Sequence, residues 1–315
     1  MKNVYFTIID KNYILRAYTL YNSIKLFLKN SHFYIVCLDN ESYNFSKLIK
    51  HGNLKFLFIN EINKIVINRI RNNRPYNEFC WTMKAISFDY FKKNKNNKWI
   101  IYLDSDAMVF SSINEYLDDN FDAVITPHRF KYKYFKSLEE KVGRFNAGFI
   151  AFRNNLNGKK ILGYWKKKCL ESVSSKPKNL IYGDQKYLDE IEHNFKKVNS
   201  DPFLGINLAP WNLCDNNGRI NLNGINKIVF YHMQGLKIYN KYIYQIYSEN
   251  FKVDKETFER VYKPYIYLLR TTYNELIKID RNFKQKKEIK IDLKFLMKNF
   301  LLKNNNIKIF FKYNY

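Results

Sequence analysis

Trp99-Ile100-Ile101-Tyr102-Leu103-Asp104-Ser105-Asp106 is the stretch that decides the fold. Its first five residues form an unbroken apolar run, the pattern of a strand buried on both faces, and the chain leaves that run through two carboxylates two residues apart. Open α/β sheets bind ligands at the carboxyl ends of their strands. Two carboxylates at such an end repel each other unless a hard cation lies between them. The triplet alone says little, because 15 Asp in 315 residues produce about 0.7 such triplets by chance. Its surroundings must give it meaning.

Upstream, Val4–Ile9 reads as a strand, Ile14–Leu28 as a helix and His32–Leu38 as a second strand. This βαβ opening predicts a parallel sheet, hence an α/β fold. Leu54–Ile59 follows as a strand and Trp81–Lys92 as a helix with Trp81, Ala85 and Phe88 on its core face. Downstream, strands are predicted at Ala123–Thr126, Phe149–Phe152 and Ile228–Tyr231, with a helix over Lys159–Cys169. Residues 1–240 are expected to form one domain and 241–315 a helical carboxy-terminal region. Residues 276–315 hold 11 Lys+Arg against 3 Asp+Glu, and Ile289, Leu293, Leu296 and Phe300 share one helical face. A basic amphipathic tail of this kind either docks on its own domain or lies on an anionic membrane.

The chain carries 54 Lys+Arg against 29 Asp+Glu, a formal charge of +25 that suits a polyanionic partner. Abundant Lys, Asn, Ile, Phe and Tyr, whose codons are AT-rich, offer a second source for that charge. The four cysteines are far apart with no Cys-x-x-Cys pair, which indicates neither a zinc site nor a disulfide framework and fits the cytoplasm. The amino terminus enters a strand without a signal segment, and no apolar run is long enough to span a membrane. Membrane contact is therefore expected to be peripheral, at the inner face of the cytoplasmic membrane.

Four further segments place polar groups beside strand or loop ends: Asn146-Ala147-Gly148, Asp184-Gln185, Pro210-Trp211-Asn212 and His232-Met233-Gln234-Gly235. In the order Asp-x-Asp, Asn-Ala-Gly, Asp-Gln, His-x-x-Gly, the region Met1–Tyr239 resembles the bacterial GT-A-fold glycosyltransferases related to glycosyltransferase family 8. The resemblance implies a Rossmann-like, mostly parallel sheet and transfer of a sugar from a nucleotide-sugar donor, often in lipopolysaccharide or capsule synthesis.

By the same resemblance Asp104, Asp106 and His232 hold a divalent metal, Mn²⁺ or Mg²⁺; the mixed oxygen and nitrogen ligands favour Mn²⁺. Asp184 and Gln185 are the expected catalytic pair, gripping the donor sugar. Asp10 and Tyr13 resemble the turn that binds and stacks on uracil. Thr7, Lys84, Ser105, Asn146, Ala147, Gly148, Gly235 and Lys237 complete the expected donor site, although Lys237 lies one residue closer to Gly235 than the family's lysine. His128, Arg129, Trp211 and Asn212 fall outside the family motifs and are assigned to the acceptor, an aromatic face and a cation suiting a sugar and a phosphate.

The expected partners are thus a UDP-sugar and a glycan or lipid-linked glycan acceptor, with retention of anomeric configuration and no nucleic acid. Two alternatives remain at this point. A basic nucleic-acid-binding protein accounts for the charge but leaves the acidic strand end unexplained. A protein that holds a nucleotide sugar without turnover is the second; the complete set of motifs argues against it, and an assay of turnover excludes it.

Overall fold

The computed structural model describes all residues except 29–30, 51, 177–181, 285–305 and 310–315. Eight strands organise it: β1 (Lys2–Ile9), β2 (His32–Cys37), β3 (Leu54–Phe58), β4 (Asn97–Leu103), β5 (Ala107–Val109), β6 (Ala123–Pro127), β7 (Phe145–Arg153) and β8 (Val198–Asn199). Seven of them form the central sheet, in the order β3-β2-β1-β4-β7-β6-β8. Only β7 runs against the others, pairing antiparallel with β4 and with β6. The predicted mostly parallel sheet is therefore present.

Alternation along β4 explains why an unbroken apolar run suits this position. Trp99, Ile101 and Leu103 enter the core beneath helix Ile14–Ile24, whereas Ile100 and Tyr102 enter the core beneath helices Tyr76–Phe91 and Leu156–Glu171. Both faces are covered, so both parities must be apolar.

Three boundaries differ from the sequence reading. The first helix becomes 3-10 after Ile24. Helix Tyr76–Phe91 begins five residues before Trp81, right after Pro75. Strand β7 begins at Phe145 rather than Phe149, so Asn146 and Gly148 lie within a strand; both residue types are depleted in strands, which hid its start.

Beyond residue 240 the chain continues to build the same core. Helix Lys263–Ile279 lies on helix Ile14–Ile24, where the Asn22 amide donates to Thr272 Oγ1 (3.0 Å) and Glu275 Oε2 (2.9 Å). Leu276 and Phe283 are buried there. Residues Ile307–Ile309 return as a strand paired with Ile243–Gln245. The stripe Ile289, Leu293, Leu296, Phe300 lies outside the described residues. Among the described residues no helix is long and apolar enough to cross a membrane.

Candidate active site

The chain leaves β4 at Leu103, and the Asp104 amide donates to Gly148 O on β7 at 2.8 Å. Three residues after Asp104 β5 starts, and it pairs antiparallel with Phe230–His232 so that His232 stands opposite Ala107. This pairing brings His232 Nε2 to 3.1 Å from Asp106 Oδ1 and 3.8 Å from Asp104 Oδ2. One ligand atom from each of the three residues lies within 4.8 Å of the others.

Gly148 makes the approach possible, because a Cβ there would meet Asn146 Oδ1 at 2.6 Å and His232 Nδ1 at 2.7 Å. The space beside Gly148 is thus taken by the protein's own imidazole, although Gly148 still lines a cavity. Burial pushes the Asp106 carboxyl up and the His232 imidazole down, but their mutual attraction outweighs both effects, lowering the first pKa and raising the second. Two carboxylates and an imidazole facing one point suit a borderline-hard divalent cation such as Mn²⁺.

Arg16, which no motif singled out, supports this cluster from below. It is buried on helix Ile14–Ile24, with Nη1 3.8 Å from Asp106 Oδ2 and Nη2 donating to Leu236 O at 2.7 Å. Lys84 supports it from helix Tyr76–Phe91. Its Nζ is 3.4 Å from Asp104 Oδ1, 3.4 Å from Asp184 Oδ2 and 3.4 Å from Ala147 O, and 4.8 Å from the centre of the Tyr102 ring. Burial lowers its pKa, yet the two carboxylates outweigh that and raise it. The ammonium expected to face the donor is therefore occupied by the protein's own acids.

Two cavities meet at this cluster, and Trp81, Lys84, Asp104 and His232 line both. The first, about 480 Å³, also has Asp10, Tyr13, Ser105 and Asp106 on its walls, together with Asn12 and Tyr76, which sequence reasoning missed. Asp10 accepts from Asn12 N (2.8 Å) and from Tyr76 OH (3.1 Å), fixing the turn in which Tyr13 stays 44% exposed.

The second cavity, about 300 Å³, is lined by Asn146, Ala147, Gly148, Asp184, Gln185, His128 and Trp211. Burial raises the Asp184 carboxyl despite Lys84. The Gln185 amide donates to Val142 O (2.8 Å). Asn146 Oδ1 accepts from Gly148 N (2.8 Å) and from Asn207 Nδ2 (3.0 Å), a buried residue at φ +60° that sequence reasoning also missed. His128 Nδ1 lies 3.0 Å from Gly143 O and 3.2 Å from Arg144 O, and burial pushes its pKa down to about 4.

Five expected site residues line neither cavity. Thr7 is wholly buried inside β1. Arg129, at φ +52°, turns to Asp201 (2.9 Å). Asn212 closes its own turn, accepting from Ala209 N (3.1 Å) and donating to Asn207 O (3.1 Å). Gly235 sits at φ +84° with its open side against the Tyr247 ring, which a Cβ would meet at 2.7 Å. Lys237 is paired with Gln245 in a short strand. For Gly235 and Asn212, turn geometry and packing account for the residue type.

The description "Nucleotide-diphospho-sugar transferase" belongs to the family that matches residues 28–281. Two relatives from Bacillus subtilis (strain 168) are similar: the uncharacterized protein YfnF, 26% identical over 76% of this chain and 83% of its own, and the uncharacterized protein YfnD, 25% identical over 86% and 89%. Among solved structures, the galactosyltransferase LgtC in complex with donor and acceptor sugar analogs is similar at TM-score 0.51 and 13% identity, over 85% of this chain and 95% of that one. The bifunctional glycosyltransferase WbbM is similar at TM-score 0.51 and 15% identity over 74% of this chain, which spans 46% of the WbbM chain. At such identities the likeness to solved structures is one of fold, the GT-A arrangement of sheet and helices. With more than half of its length matched, the chain belongs to the nucleotide-diphospho-sugar transferase family.

Proposed function

We propose that the protein transfers a sugar from a UDP-sugar to a hydroxyl of a bacterial surface-glycan acceptor, with Mn²⁺ and with retention of configuration. The observation that carries this reading is the position of Asp104, Asp106 and His232 at the junction of the two cavities. The larger suits a nucleotide, with Tyr13 available for the base and Asp10 for its polar edge. The smaller suits the sugar, with Asn146, Asp184 and Gln185 to orient it. Asp104, Asp106 and His232 would hold the ion. When bound, such a cation neutralises the charge of a departing diphosphate.

Retention without a protein nucleophile follows from how the acids are used. The carboxylates lining the smaller cavity are Asp104, in the proposed metal set, and Asp184, whose Oδ2 is 3.4 Å from Lys84 Nζ. Neither is free for the double displacement that needs a nucleophilic carboxylate beside an acid. Attack from the face of the leaving group therefore fits better. The basic stretch 276–315 would suit an acceptor presented at an anionic membrane surface.

A panel of nucleotide sugars assayed for Mn²⁺-dependent hydrolysis identifies the donor. Proton NMR of the fresh transfer product should then show an α linkage from an α-linked donor. A β product would reject the retaining part of the reading.

A further inference from the structure

His128 is held in a way that leaves one of its nitrogens for a ligand. Its Nδ1 faces two backbone carbonyls, Gly143 O at 3.0 Å and Arg144 O at 3.2 Å. Carbonyls only accept, so Nδ1 carries the proton and Nε2 of the neutral ring presents a lone pair. Nε2 is not among the buried polar atoms that lack a partner, and no hydrogen bond from the described residues reaches it. It therefore keeps accessible surface, and the ring lines the smaller cavity. Phe130 stacks on the imidazole at 4.5 Å and 12°, and Trp211 stands against it at 5.7 Å, so the ring cannot turn freely. Trp211 in turn packs edge-on against His232 at 5.2 Å, which puts this group beside the metal ligands, on the His232 side, whereas Lys84 and Asp184 adjoin Asp104.

We propose that His128 Nε2 accepts a hydrogen bond from a hydroxyl of a neutral acceptor sugar seated against Trp211 and Phe130, and that this contact selects against acceptors whose group at that position is a phosphate or carboxylate. The proposal rests on the transferase reading above and narrows its acceptor. An anionic oxygen brings only lone pairs to a lone pair, whereas a hydroxyl brings the proton that Nε2 lacks. Arg129, the cation that would have welcomed a phosphate, is turned to Asp201. The indole and phenyl faces are the apolar surfaces on which a pyranose ring packs its C–H groups.

The experiment uses the full chain with Mn²⁺, the donor found in the panel, methyl hexopyranosides, their monodeoxy analogues, and hexose phosphates and hexuronides as anionic counterparts. One monodeoxy glycoside should lose about tenfold in kcat/KM, the effect of one hydrogen bond. His128→Asn keeps a donor for the two carbonyls but cannot reach the ligand; it should transfer to the parent glycoside about tenfold more slowly and no longer distinguish that deoxy analogue. His128→Gln carries an amide oxygen near the place of Nε2 and should restore much of the discrimination. A change in the KM for donor rather than acceptor, or anionic counterparts used better than neutral ones, would overturn the proposal. Nitrogen-15 NMR of the imidazoles gives a readout without turnover. The His128 Nε2 resonance, identified by its loss in His128→Asn, should move upfield on saturation with a neutral glycoside. If it stays in place the proposal falls, whether or not the enzyme turns over; if it moves in a protein that transfers nothing, His128 keeps its role and the transferase reading falls.

Discussion

The walls that meet at Asp104 and His232 are built on opposite electrostatic plans. On one side, Lys84 lies between Asp104 and Asp184, and Arg16 lies under Asp106, so buried charges are matched at close range. On the other, His128, Phe130 and Trp211 form a wall whose only ionisable ring is kept neutral by burial. Buried charge is tolerable only when paired, and a paired set resists movement because losing one partner strands the other. A neutral aromatic wall carries no such electrostatic constraint. In the proposed reading, a charged diphosphate would be positioned by the paired charges and the acceptor chosen by the neutral wall, different residues across one junction.

The charged wall should break most readily. Asp106→Ala removes a carboxylate from the proposed metal set, and Mn²⁺-dependent turnover should fall about 10³-fold, with UDP affinity in Mn²⁺ falling as well by calorimetry. Near-normal values would remove Asp106 from the set. Lys84→Met strands Asp104 and Asp184 together, and denaturant titration should show a loss of about 3–5 kcal/mol. A stability unchanged by that substitution would mean that the two acids do not depend on Lys84.

Gly148→Ala probes the seam between the walls, since its Cβ would press on the His232 ring. Mn²⁺ affinity should weaken about tenfold, measurable by electron paramagnetic resonance. A normal affinity would show that the ring has room to shift.

The last effect belongs to the neutral wall and shows only in acid, so it is the smallest at neutral pH. Folded His128 takes a proton only near pH 4, against 6.5 for the free side chain. Its contribution to stability is therefore complete above pH 6.5 and declines as pH falls toward 4, reaching a loss of about 3 kcal/mol below that. His128→Gln should flatten that part of the stability profile. An unchanged slope would assign it to another group.

How much was legible beforehand depended on whether a residue's role was local. Strand β4 could be read because burial on both faces demands an unbroken apolar run. The start of β7 could not, because Asn146 and Gly148 serve the site and weaken the strand signal. Lys84, Asp104, Asp184 and Ala147 were each singled out, but their pairing was not, since the three partners come from the end of β4, the segment before helix Tyr187–Asn194 and β7. Arg16, Asn207 and Tyr76 gave no signal at all. An Arg inside an amphipathic helix, an Asn in a loop and a Tyr at a helix start are ordinary until the chain places them beside Asp106, Asn146 and Asp10.

The sequence by itself determined that two carboxylates leave a buried strand, that a parallel sheet carries them, and that a histidine and an Asp-Gln pair follow in the order of a known family. The first two are local facts set by periodicity and spacing, and the third is a resemblance in the order of motifs. Only the tertiary structure decided that β5 pairs with Phe230–His232 and so delivers the imidazole, that the cations beneath the acids are Arg16 and Lys84, and that Arg129 faces Asp201 instead of the cavity. The physical reason is that pairing between distant strands and neutralisation of buried charge are properties of the assembled core, where each group's partner is whatever the packing brings within a few ångströms.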